Sequence, residues 1–87
     1  MGYNQIMETH DDQNLEEQQR RLDILHARVY AAKAAYLNRA PFEDMAEVTF
    51  EDLKVIAQQY IQASYDYQKL KYGSVKLRIS VSKLLRR

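Results

Sequence analysis

The chain has 87 residues, of which 46% are hydrophobic and 29% charged, a composition typical of one globular domain rather than of a disordered chain. Two glycines and one proline supply too few turn residues for an all-β fold, and the lack of cysteine excludes disulfides and thiolate metal sites. With no apolar run of about 18 residues and no secretory signal pattern after Met1, we expect no membrane span and a reducing, cytoplasmic location.

Charge is distributed unevenly along the chain, although the net charge is only +1. Residues 1–66 carry all twelve acidic side chains and six basic ones, whereas residues 67–87 carry seven basic side chains and no acid. Such a division indicates either self-complementarity or an acidic partner for the C-terminal segment.

The first predicted element is a helix over residues 14–39, preceded by a flexible polar lead-in over residues 1–13. Asn14 is a suitable N-cap, and Glu17 follows three residues later, as in a capping box. The apolar positions of this helix recur as in the heptad seam of a coiled coil: Leu15, Leu22, Leu25, Val29, Ala32 and Tyr36.

A loop is predicted over residues 40–48, because Pro41 disfavours helical geometry in the residue before it. The second helix is predicted over residues 49–86, with Thr49 as its N-cap and Asp52 three residues on.

The second helix has its own seam, which begins with a hydrophobic staple between Val48 and Leu53. The seam alternates spacings of three and four residues and passes through Gly73, which weakens a helix by only about 1 kcal/mol relative to alanine. Its members are Leu53, Ile56, Tyr60, Ala63, Tyr67, Leu70, Ser74, Leu77, Val81 and Leu84.

The C-terminal segment also fits a second interpretation. Val75, Leu77, Ile79 and Val81 alternate with polar residues just after the Gly73–Ser74 pair, which is a strand pattern following a turn signal. We therefore favour a continuous helix but leave open a break at Gly73 followed by helix or strand.

Together these elements predict an all-α fold, an antiparallel helical hairpin forming a single domain over residues 14–87. A hairpin of this size buries little apolar surface, so we expect self-association or a partner to complete a multi-helix bundle.

The second helix carries a further apolar stripe nearly opposite its seam, interrupted by one polar residue, Gln68. Its members are Ile61, Tyr65, Tyr72, Val75 and Ile79. We predict that this stripe binds a second copy or another protein, with the two tyrosines as anchors. The first helix has a weaker counterpart in Ile24, Ala27, Ala31, Ala34 and Ala35. Scattered surface apolar residues are the alternative explanation.

No motif for catalysis is found, and we expect no enzyme activity, no cofactor and no metal. His10 lies beside Asp11 and Asp12, but it lacks a second ligand at helical spacing. His26 is expected to be a residue that flanks the first seam.

The basic residues of the C-terminal segment support an alternative function. Lys69, Lys76 and Lys83 share one row of a continuous helix, and Arg78, Arg86 and Arg87 add to the charge. A row of cations can follow phosphates, although cations near a helix C-terminus also suit the helix dipole.

The order of helix, proline-containing loop, helix and C-terminal helix resembles small filament-forming or export-apparatus subunits such as the needle and rod proteins of type III secretion systems. Pro41, Tyr67 and the segments 75–77 and 84–86 carry this resemblance. The loop departs from that pattern because it lacks a second proline, so we do not assign the chain to the family and we transfer no functional residue from it.

The leading hypothesis from the sequence is a small non-catalytic protein–protein interaction or assembly module, acting as an adaptor, regulator or structural subunit. The alternative is a small nucleic-acid-binding regulator that uses the basic C-terminal segment.

Overall fold

The computed structural model describes residues 3–86, and it describes side chains from Asn14 onward. Three helices follow one another along the chain: α1 (Tyr3–Asn38), α2 (Phe50–Tyr72) and α3 (Val81–Leu85). The long helices α1 and α2 pack as an antiparallel hairpin, so the predicted all-α class and helical hairpin are confirmed. Over the described residues no helix is both long and apolar enough to cross a membrane.

Helix α1 begins at Tyr3, well before the predicted start at Asn14. The prediction was wrong because a good capping residue does not by itself stop a helix. No glycine or proline occurs between Tyr3 and Asn38, and an asparagine inside a helix costs only a few tenths of a kcal/mol. The residues expected to form a lead-in are therefore helical from Tyr3 onward.

Helix α1 ends in a Schellman motif. Arg39 adopts the left-handed conformation, with φ of 54°, and its N–H donates to the carbonyl of Tyr36 at 3.3 Å. The N–H of Ala40 donates to the carbonyl of Ala35 at 2.9 Å. Pro41 follows immediately, at a position where it prevents the helix from continuing.

The loop between the long helices contains a tight turn in which Phe42 and Met45 exchange backbone hydrogen bonds of 3.0 and 2.9 Å. Glu43 in this turn has a φ of 54° and accepts two hydrogen bonds of 2.8 Å from the guanidinium of Arg28. This ion pair lowers the pKa of the Glu43 carboxyl. Arg28 also donates to the side-chain oxygen of Gln59 at 2.6 Å, so one α1 residue joins the loop to α2.

The start of α2 confirms the local prediction. The Thr49 hydroxyl accepts a hydrogen bond from the Asp52 N–H at 3.1 Å, and the Asp52 carboxylate accepts one from the Thr49 N–H at 2.8 Å. These hydrogen bonds lower the pKa of Asp52, chiefly through the backbone N–H. Val48 and Leu53, the predicted staple, are both buried in the core cluster.

The core lies at the loop end of the hairpin, where the described seam positions are most deeply buried. Its buried members are Val29, Ala32, Ala35, Val48, Leu53 and Ile56. Farther from the loop the small seam residue Ala63 is buried, but the large ones are only half-buried (Leu15, Leu22, Leu25, Tyr60 and Tyr67) or exposed (Leu70). Two helices alone do not enclose large side chains along their whole length. The end of the hairpin far from the loop therefore needs a third segment to bury its apolar side chains.

Helix α2 ends at Tyr72, and the predicted continuous helix to residue 86 was wrong. Gly73 is left-handed, with φ of 79°, and its N–H donates to the Lys69 carbonyl at 2.8 Å. The break left open at Gly73 is therefore the observed structure. Residues 74–80 are neither helix nor strand, and Ser80, whose backbone is extended, caps α3 by accepting from the Lys83 N–H.

Candidate functional site

The C-terminal segment folds back onto the hairpin instead of extending beyond it. We name residues 74–86 the C-terminal strap. Its last part reaches the core, because Leu84 and Leu85 pack against the buried cluster. The Lys33 ammonium of α1 donates to the Arg86 carbonyl at 2.7 Å. The strap thus crosses from the end of α2 to the C-terminal half of α1.

The side chain of Gln68 holds the extended part of the strap. Its Oε1 accepts from the N–H of Lys76 at 2.7 Å and from the N–H of Leu77 at 2.6 Å. Its Nε2 donates to the Leu77 carbonyl at 2.8 Å and to the Ser64 hydroxyl at 3.3 Å. Gln68 is only 7% exposed, and its amide supplies hydrogen-bond partners to strap backbone groups that lie outside any helix.

Tyr65 provides a second attachment one turn earlier on α2. Its hydroxyl donates to the carbonyl of Ile79 at 3.3 Å and lies 3.4 Å from the Ile79 N–H. The guanidinium of Arg78 lies over the Tyr65 ring, 5.9 Å from its centroid. Both attachments reach main-chain groups of the strap, so they do not depend on which side chains the strap carries at Lys76, Leu77 and Ile79.

The predicted binding stripe is not a continuous surface in this structure. Ile61 and Tyr65 lie on α2, in the region that the strap crosses, and both are at least half-buried. Val75 and Ile79 belong to the strap itself, and Tyr72 is exposed at the end of α2. Their role in partner binding stays a prediction, and it requires an arrangement in which the strap has left α2.

A different apolar surface is exposed on α1, on the side opposite its seam. We name it the outer face of α1; its members are Ile24, Ala27, Tyr30, Ala31, Ala34 and Leu37. Ile24 is 66% exposed, Tyr30 75% and Leu37 46%. The sequence analysis identified four of these residues. Most of this surface is exposed, although Ala34 is half-buried and Leu84 of the strap lies near Tyr30 at its edge.

Two shallow depressions border the outer face of α1. One, of about 240 Å³, is lined by Tyr30, Lys33, Ala34 and Leu37. The other, of about 140 Å³, lies between α1 and the strap, where Leu84 faces Val29 and Tyr30. His26 borders this second depression, and its ring packs on Tyr60 with 5.3 Å between centroids. His26 is therefore a flanking residue of the seam, as its sequence position indicated.

The basic residues do not form the predicted helical row. Lys69 lies on α2, Lys76 on the extended part of the strap, and Lys83 on α3, because the helix breaks at Gly73. Together with Arg78 and Arg86 they are exposed, and none has a carboxylate partner among residues 14–86. Arg87 lies outside the described residues.

Carboxylate and imidazole side chains are the groups of this chain that could bind a divalent metal ion. Within the part of the chain that the structure describes, no group of three such side chains is arranged to hold an ion. The side chains of His10, Asp11 and Asp12 lie outside that part.

Comparison of the chain with protein-family models, with curated proteins and with solved structures found no match.

Sequence reasoning missed two features of this surface. The sequence analysis treated Gln68 only as a gap in an apolar stripe. A buried polar side chain needs hydrogen-bond partners, and the backbone of the following segment supplies them here. Tyr30 and Leu37 were not assigned to the outer face, although they follow Ala27 and Ala34 at a spacing of three residues.

Proposed function

We propose that this chain is a small non-catalytic interaction or assembly module, an adaptor, regulator or structural subunit of the cytoplasm. The observation that supports this proposal is the outer face of α1, where six apolar side chains are aligned over four turns. Contiguous exposed apolar surface of this kind is characteristic of interaction sites, whereas single exposed apolar residues are ordinary.

A second copy of the chain is the partner that fits this face best, because the face is symmetric about its own centre. Two copies of α1 can pack antiparallel with the twofold axis passing between Tyr30 and Ala31. Ile24 of one copy then lies opposite Leu37 of the other, and Ala27 lies opposite Ala34. A twofold antiparallel contact therefore sets large side chains against large ones at its ends and the tyrosine against an alanine at its centre. Twofold contacts of identical patches are the commonest way in which soluble proteins assemble.

The size of the face predicts a weak contact. Burying one large apolar side chain fully contributes about 1.5–3 kcal/mol, and Ile24, Tyr30 and Leu37 are already partly buried. Association itself costs at least about 4 kcal/mol of translational and rotational freedom. We therefore expect a dimer with a dissociation constant between about 1 μM and 1 mM. The two hairpins of such a dimer contribute four long helices, which is the expected bundle.

Sedimentation velocity over a concentration series tests this proposal. Wild-type protein should show a mass that rises from monomer to dimer, and a double substitution of Ile24→Glu with Leu37→Glu should keep it monomeric with unchanged helicity. Val55→Glu is the matched control, since Val55 is similarly exposed but lies on α2. A wild-type mass that stays monomeric up to about 1 mM, or equal behaviour of both variants, contradicts self-assembly through this face.

The basic strap supports a second candidate function, the binding of single-stranded nucleic acid. Exposed cations lie on the strap, and at the adjoining end of α2 the Lys71 ammonium lies within 6 Å of the Tyr67 and Tyr72 ring centroids. Fluorescence anisotropy with a labelled oligonucleotide tests it at several salt concentrations. Affinity should fall steeply as salt increases, because bound phosphates release counterions. A lack of binding at low salt removes this candidate.

A further inference from the structure

The strap is joined to α2 by non-covalent contacts and by one short hinge at Gly73. An added Cβ at Gly73 would meet no atom within 4 Å, so nothing packs on the hinge. Gln68 and Tyr65 precede the hinge on α2, whereas the strap groups that they bind, and α3, follow it. Opening the hinge therefore separates the strap from its own binding groove but leaves both intact, so the same contacts can form between two copies.

We propose that the groove on α2, formed by Ile61, Ser64, Tyr65 and Gln68, binds the strap of a second copy of this chain. Each copy then inserts residues 74–86 into the groove of the other, giving an exchanged dimer. This site is separate from the outer face of α1.

The chemistry of the groove favours this occupant. Gln68 and Tyr65 bind the backbone of Lys76, Leu77 and Ile79, and these contacts are the same whether the strap belongs to the same chain or to another. A second copy thus supplies a ligand that is known to fit. Exchange of an identical element between copies needs no new interface and is a common route to dimers.

Exposed apolar side chains lie on both sides of the hinge. In the closed form Leu77 is 65% exposed, and Leu70 and Tyr72 are exposed as well. The exchanged strap keeps its non-helical conformation at Lys76 and Leu77, because Gln68 binds their backbone N–H groups in either form. Opening at Gly73 places the exposed side chains where the two exchanged copies approach each other.

Gly73 controls the balance between the two forms. Its φ of 79° is in the left-handed region, which glycine adopts without steric cost and which is unfavourable for alanine. A strap attached by a short linker has an effective concentration of the order of 1 mM, so wild-type protein stays closed below that concentration. Alanine at the hinge disfavours the closed turn by roughly five- to thirtyfold in each copy. The exchanged dimer should therefore form at a concentration about a hundredfold lower.

A series of hinge variants tests the proposal in the full-length chain. Gly73→Ala should dimerise about a hundredfold more readily than wild type, and Gly73→Asn should lie between them because asparagine tolerates the left-handed region. Ser74→Ala is the matched control, since Ser74 has no positive φ.

Isotope-coded cross-linking identifies the exchange itself. Lys33 contacts the strap at Arg86, so a lysine-reactive linker should join Lys33 to Lys83 of the strap that occupies the groove. Equal amounts of 15N-labelled and unlabelled Gly73→Ala protein are unfolded, mixed, refolded and cross-linked. Mixed heavy–light pairs of these two lysines are expected. When Gln68→Leu is added, mixed and like-labelled pairs should decrease together, because the strap is then held less firmly in the groove of either copy.

The control for the other interface is the double substitution Ile24→Glu with Leu37→Glu, which should leave the mixed pairs intact. Helicity measured by circular dichroism verifies that each variant is folded. A Gly73→Ala protein that is monomeric at about 1 mM, or one that dimerises with only like-labelled pairs, overturns the proposal. If Gly73→Ala does not fold, the same mixed pairs are required of Gly73→Asn and of wild type refolded at about 1 mM, and their absence overturns it too.

Discussion

Replacing Gln68 with leucine should release the extended part of the C-terminal strap while leaving α2 intact. The substitution keeps the approximate size of the side chain and removes its amide. Three hydrogen bonds to the strap backbone are lost, those to the Lys76 and Leu77 N–H groups and to the Leu77 carbonyl. No other side chain of the described residues hydrogen-bonds these groups, so in the variant they must hydrogen-bond water instead.

The magnitude follows from the number and surroundings of these bonds. A typical intramolecular hydrogen bond contributes about 1 kcal/mol net, which gives an upper estimate of about 3 kcal/mol for the three. The strap groups are only partly buried, and water replaces part of what the amide supplied. We therefore expect the free energy of strap opening to fall by about 2 kcal/mol, which corresponds to roughly thirtyfold more opening.

Amide hydrogen exchange measured by NMR reports this opening residue by residue. The Lys76 and Leu77 amides should exchange roughly thirtyfold faster in Gln68→Leu, while amides in the centre of α2 keep their protection. Gln62→Leu is the matched control, because Gln62 is exposed on the same helix and bonds only Asp66. Unchanged protection of the two strap amides in Gln68→Leu, or equal loss in the control, refutes the role assigned to Gln68.

Three further predictions concern the stability of the hairpin, measured as the free energy of unfolding in urea by circular dichroism. Ile56→Ala, at the centre of the core, should lower it by about 2–5 kcal/mol, whereas Val55→Ala on the exposed side should change it by less than about 0.5 kcal/mol. Thr49→Ala should lower it by about 1 kcal/mol through loss of the α2 N-cap, and Thr49→Ser should retain most of that contribution. Stability should fall as the pH decreases below about 4.5, because the pKa values of Glu43 and Asp52 are lower in the folded chain than in the unfolded one. Glu43→Gln should flatten this pH dependence, and an unchanged slope would contradict the contribution of the Arg28 ion pair.

Local signals predicted the parts of the fold that depend on neighbours in sequence. The Thr49 cap was predicted correctly because a capping box is closed by residues only three positions apart. The loop after α1 was predicted from Pro41, although the helix ends slightly earlier, at a Schellman motif that places Arg39 in a conformation usually taken by glycine. The start of α1 was missed because Asn14 has the sequence of a cap without the break in helical geometry that a cap requires.

Distant contacts decided the remaining structure. The helical period of α2 continues through Gly73 as far as Leu84, and the alternation of residues 75–82 is equally regular, so the sequence supports two conformations for one segment. Long-range packing helps to select between them, since Leu84 and Leu85 reach the core, and the Arg86 carbonyl reaches Lys33, only when the hairpin is folded.

The sequence by itself determined the all-α hairpin, its seam and the cap of its second helix, because helical periodicity and capping depend on residues within a few turns of one another. The tertiary structure decided which apolar stripe is covered. The strap occupies the stripe on α2, because a buried amide there satisfies its backbone, and it leaves the outer face of α1 exposed. The position of the candidate interaction surface therefore follows from where a segment distant in sequence finds hydrogen-bond partners and apolar contacts.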